Sequence, residues 1–175
     1  MNSLVRFVKI ATFLSLLLLF VSFVTVRAQE TRKEKQLLKI NQVSAWVESC
    51  NYDFVAQMAL TMGGNTRQLT SEYDVQVSKD TINSYLPYFG RSYSAFLNPD
   101  DAGIKFISKD FNYKTTIRKK GGWLIQIKPK DVNEVQQLSF SISEDGYATL
   151  QVTQTNRQPI SFNGYIREKI STKNK

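Results

Sequence analysis

The apolar positions of the chain change period along its length, and each change marks an element. Leu37, Ile40, Val43, Val47 and Cys50 recur every three or four residues, with Leu38 and Trp46 broadening the stripe and Lys35, Lys39, Gln42 and Glu48 opposite it. That spacing predicts one amphipathic helix from about Arg32 to Ser49. A capping box at Thr31-Arg-Lys-Glu34 opens it, hydroxyl and carboxylate satisfying free amides of the first turn. From Tyr52 the period falls to two. Phe54, Ala56, Met58, Leu60 and Met62 share one side, as in a half-buried strand, and Gly63-Gly64-Asn65 turns the chain. Leu69, Tyr73, Val75 and Val77 then return, which makes Tyr52–Ser78 a hairpin.

From Asp80 to Phe106 the alternation stops. Tyr85, Tyr88, Phe89, Tyr93 and Phe96 crowd together, with Pro87, Gly90 and Pro99 among or beside them, so no single helix or strand can run through the stretch. It is expected to wrap over the sheet. Alternation resumes at Ile104–Ser108, at Phe111–Ile117, at Trp123–Lys128, at Leu138–Ile142, at Tyr147–Thr155 and at Ile160–Ile170, with tight turns between. Ser-Lys-Asp occurs at 78–80 and at 108–110, each time at a strand end, and reads as two independent turns in which Asp caps the next segment. The sum is an α+β chain, mainly antiparallel β: one N-terminal helix packed on a curved sheet of seven or eight strands. Connections this short exclude parallel crossovers. Alternation does not choose between a curled, barrel-like sheet and a sandwich; a helix with so wide a stripe favours the curled sheet, whose open face it can cover.

Ahead of the helix, Arg6 and Lys9 precede an apolar run, Ile10–Val24, that ends in Val26-Arg27-Ala28. This is the layout of a signal peptide over 1–28, leaving a single β-rich domain from 29 to 175 in the periplasm or outside the cell. The rival reading, an uncleaved anchor, asks for a longer run than this one. On the first reading the membrane is met only through the signal segment before cleavage. No Cys follows the run to accept a lipid, and removing Arg6, Lys9 and Arg27 lowers the formal charge from +8 to +5. The basic residues left are dispersed in short clusters, which with export argues against nucleic acid as a partner. Cys50 is the only cysteine, so no intramolecular disulfide forms, and it is expected as a small buried apolar side chain.

The run SKDTINSYLPYFGRSYSAFLNP, Ser78 to Pro99, resembles the DUF4251 family of exported Bacteroidetes proteins, which share a Y-L-P-Y-[FY]-G segment of this kind. The likeness continues in GIKF (103–106), KGGW (120–123) and QLSFSISEDGYATLQV (137–152). It implies an exported chain of single-domain architecture and carries over no catalytic residue.

The chain has no histidine, which removes histidine general bases, Ser-His-Asp and Cys-His catalysis and most zinc sites. The adjacent acids Asp100-Asp101 and Glu144-Asp145 fall in turns, where solvation or capping outweighs a carboxylate-pair mechanism. Asn98-Pro99-Asp100-Asp101 lacks the spacing of a calcium loop. No catalytic residue, metal ligand or cofactor is therefore assigned. The function expected is a non-catalytic binding module for a small molecule, a glycan or a peptide. Its alternatives are a structural or interaction protein without ligand and a carboxylate-dependent hydrolase. The candidate ligand residues are Tyr85, Tyr88, Arg91 and Tyr93, an aromatic wall with one positive charge. Against that stands a plain structural reading, in which Leu86, Phe89 and Phe96 plug one end of the sheet.

Overall fold

The computed structural model describes residues 33–93 and 103–169. The chain divides into two compact units, Met1–Leu38 and Lys39–Lys175. Of the first, only residues 33–38 are described, as helical turns on which Leu37 and Leu38 are exposed. The segment 1–28 and Thr31 of the capping box lie outside the described residues, as do Phe96, Asn98–Asp101 and Ile170.

The second unit holds the C-terminal part of the helix α1, whose described residues span 33–48, and nine strands. These are β1 (Tyr52–Thr61), β2 (Thr66–Val77), β3 (Ile82–Leu86), β4 (Ile104–Ser108), β5 (Phe111–Ile117), β6 (Trp123–Pro129), β7 (Val135–Ile142), β8 (Tyr147–Gln154) and β9 (Ile160–Glu168). They form one antiparallel sheet in the order β4-β3-β2-β1-β9-β8-β7-β6-β5. The sheet is nearly closed and barrel-like. Five strand spacings separate β1 from β5, about 24 Å in a flat sheet, yet the Tyr52 and Tyr113 hydroxyls are 3.5 Å apart. Phe54 and Tyr52 likewise meet Phe140 of β7 edge to face, with centroids 5.6 and 6.3 Å apart. The interior between them is filled by Ile125, Ile127, Leu138, Leu150, Val152 and Phe162, all fully buried.

Val43 and Val47 of α1 join this core. Tyr113 donates its hydroxyl to the Val47 carbonyl at 3.4 Å, tying the end of the helix to β5. Burial pushes the Tyr113 phenol up to about 12 and that of Tyr52 well above its ordinary value. The helix closes with the amide of Asn51 on the carbonyl of Trp46 and that of Cys50 on Val47, a Schellman arrangement that puts Cys50 at φ 51°. Cys50 is thus half-buried at a helix stop rather than packed inside.

Two departures from simple alternation have local causes. In β1 a bulge between Ala56 and Met58 adds Gln57 and switches the faces, so Ala59 is fully buried while Met62 is exposed. The ninth strand, β3, lies in the stretch expected to be irregular. Its inward positions are Ile82, Ser84 and Leu86, and the buried Ser84 hydroxyl donates to the Ile104 carbonyl at 3.0 Å. At the β4–β5 turn the capping carboxylate comes from Asp131, not from Asp110. Asp131 accepts from the Ser108 hydroxyl and from the Lys109 and Asp110 amides, which holds its carboxyl down at about 2. Asp110 instead pairs with Lys130 at 3.0 Å.

Candidate ligand-binding site

The tip of the β1–β2 hairpin and the turn joining β8 to β9 stand at the end of the sheet to which β1 runs from its start beside α1. Beyond β3, Pro87 ends the ladder, and the chain crosses to that β8–β9 turn and docks on it. The amide of Tyr93 donates to the Asn156 carbonyl at 2.9 Å, that of Gln158 to the Arg91 carbonyl at 3.1 Å, and Ser92 bridges to Arg157. Tyr88 bends back under this crossing. Its hydroxyl shares one proton between the carbonyls of Arg91 (2.8 Å) and Gln158 (3.0 Å), and burial raises its pKa. Gly90 is required at the bend, because a Cβ there would collide with the Tyr88 ring and hydroxyl. Arg157 is buried, its guanidinium 5.2 Å from the centre of the Tyr88 ring and donating to the Gly103 carbonyl at 3.0 Å. The β8–β9 turn therefore grips residues on both sides of segment 94–102.

Between this crossing and the hairpin tip lies a cleft of about 440 Å³. Thr61, Met62, Gly63 and Asn65 line one side, and Phe89, Gly90 and Arg91 the other, with Gln158 beside them. Phe89 is half-buried, with the Arg67 guanidinium 4.8 Å from its ring centre. Arg91 is exposed. The cleft thus offers an apolar ring, two amides, a hydroxyl and a guanidinium, and none of its described lining residues is acidic.

Of the four residues singled out in the sequence, the structure brings together Tyr88, Arg91 and Tyr93, and not Tyr85. Tyr85 is on the outer face of β3, stacked on Tyr73 with ring centres 5.6 Å apart, with the Lys105 ammonium 5.2 Å from its own centre. Alternation dictates this, since Leu86 takes the inward place next to it. Tyr88 is a brace, its hydroxyl already held by backbone. Tyr93 is 72% exposed. Arg91 alone faces the cleft as expected. Gln158, Arg157 and the hairpin tip were missed as site residues. Both turns are visible in the sequence, but nothing local says that Gln158 meets Tyr88, seventy residues away. Leu86 is core, and Phe89 sits at the edge of the core rather than inside it. Glu144 and Asp145 are exposed in the β7–β8 turn. Among the described residues no three His, Cys, Asp or Glu side chains gather as metal ligands, and no helix is long and apolar enough to cross a membrane.

A nine-stranded, nearly closed antiparallel sheet with one helix against it, and a polar cleft at one end, defines a small barrel-like domain of α+β class. The chain belongs to the family described as "Domain of unknown function (DUF4251)", whose model matches residues 34–166. It is similar to a solved DUF4251 family protein from Bacteroides eggerthii: 13% identity, TM-score 0.56, covering 75% of this chain and 88% of that one. That likeness is one of fold. No curated protein matches the chain.

Proposed function

We propose that this chain is an exported, non-catalytic binding module whose end cleft takes a small acidic ligand. One observation carries the reading: Arg91 is exposed on a cleft wall that Tyr88, Gln158 and Asn156 hold in place. A guanidinium presented from a fixed backbone loses little freedom on binding and can grip a carboxylate with two parallel hydrogen bonds. Gln158 and Phe89 beside it supply an amide partner and an apolar surface. Export rests on the sequence, where a basic start, an apolar run and Val26-Arg27-Ala28 precede the domain.

Calorimetric titration with D-glucuronate, N-acetylneuraminate and succinate, with D-glucose as the neutral control, tests the cleft. At least one carboxylate binds saturably and glucose does not. Because a charge-assisted hydrogen bond contributes about 1.5–3 kcal/mol, Arg91→Ala weakens that binding tenfold or more. No carboxylate binding, or binding that survives Arg91→Ala, contradicts the reading.

A further inference from the structure

We propose a second site, for a neutral carbohydrate chain, on the outer face of the sheet where β7, β8, β9 and β1 lie side by side. The strand register sets Ser141, Thr149 and Asn163 directly opposite one another in a single row. The row reaches β1 at its bulge, where the extra residue is Gln57. Strand spacing places Ser141, Thr149 and Asn163 at near-equal intervals over about 10 Å, with Gln57 next to Met58, the residue opposite Asn163 on β1. They line a groove of about 400 Å³, together with Arg118, Ser143 and Tyr147.

Two hydrogen bonds orient the row. Arg118 donates to the Ser141 hydroxyl at 3.0 Å, and the Thr149 hydroxyl donates to the amide oxygen of Asn163 at 3.0 Å. With its oxygen engaged, Asn163 keeps its two N–H donors for something else. Tyr147, 68% exposed, lies next along β8 on the same face and opposite Tyr165. Ala148 and Gly164, the inward-facing pair next to this row on β8 and β9, also border the groove; at 164 any Cβ would collide with the Val55 carbonyl.

The chemistry selects the occupant. Each of these four strands is paired on both sides, so no free ladder awaits an extended peptide. Among the described residues Arg118 is the one charged residue lining the groove, too little positive charge to hold a phosphate backbone. Hydroxyls and amides flanking an exposed aromatic ring suit a sugar, whose hydroxyls pair with the polar row while its apolar face lies on the tyrosine. This site shares no lining residue with the end cleft.

The test is an NMR titration of the isotope-labelled protein with neutral hexasaccharides: α-1,4- and β-1,4-linked glucose, β-1,4-linked mannose and β-1,4-linked xylose. At least one shifts the amides of Gln57, Thr149 and Asn163 saturably. Tyr147→Ala and Asn163→Ala each weaken that binding tenfold or more without lowering the melting temperature, and Arg91→Ala leaves it unchanged. The proposal is overturned if no hexasaccharide shifts these amides, or if binding persists in both groove variants. It is overturned equally if binding is lost only in Arg91→Ala, because the sugar then sits in the end cleft.

Discussion

At Cys50 the backbone, at φ 51°, takes a conformation that glycine adopts freely and other residues adopt at a cost of about 1–2 kcal/mol. Its lone thiol reads in the sequence as core, because cysteine is usually buried and the helical stripe runs up to it; nothing there announces a left-handed helix stop filled by a residue other than Gly or Asn. The position is governed by its backbone. Cys50→Gly, which relieves that cost, should therefore raise stability by up to about 1 kcal/mol, whereas Cys50→Val, branched at Cβ, should lower it by about 1 kcal/mol; chemical denaturation measures both. Asp131 makes a second prediction at this scale. Hydrogen bonds from Ser108, Lys109 and Asp110 favour its ionised form, lowering the folded pKa from 3.8 to about 2. A depressed folded pKa contributes stability above the unfolded value and loses it as pH falls through the folded one. Asp131→Asn should accordingly flatten the pH dependence of stability between pH 4 and 2, and leave the rest of the acid profile in place.

Among the elements, the helix stripe and eight of the nine strands could be read from periodicity alone, because Val43, Val47 and the inward strand positions obey it. The ninth could not. In β3 the middle inward position is Ser84, hydrogen-bonded inside, while the outward Tyr85 looks apolar, so alternation is masked from both sides. The bulge at Gln57 likewise reverses the face of Met58 and Leu60 in a way no local pattern shows. Of the site, Arg91 was legible as a charge among aromatics, but the docking of its segment on Asn156–Gln158 depends on contacts far apart in sequence. Single substitutions here separate core from site. Leu86→Ala should cost about 2–5 kcal/mol, as for any fully buried leucine. Phe89→Ala, at the edge of the core, should cost about 1–2 kcal/mol. Tyr88→Phe, which frees two carbonyls, should cost about 1 kcal/mol. Arg91→Ala should stay within about 0.5 kcal/mol of the parent. A loss at Arg91 as large as at Leu86 would make its charge part of the packing.

For the molecule as a whole, the described interior is packed with buried side chains, and the cleft and groove lie at one end and on the outer face of the sheet. Tyr52, Phe54 and Phe140 occupy the space that a wider barrel would leave for a ligand. On the proposed function, the working surface is the end cleft, with Arg91 as its charge. Native mass spectrometry of the protein recovered from the cells that make it is the sharpest test, comparing the parent chain with Arg91→Ala. The expected result is a chain beginning at Gln29 that carries a bound acidic molecule in the parent and none in Arg91→Ala, at equal melting temperature. The same added mass on both proteins, or none on either, would overturn this reading.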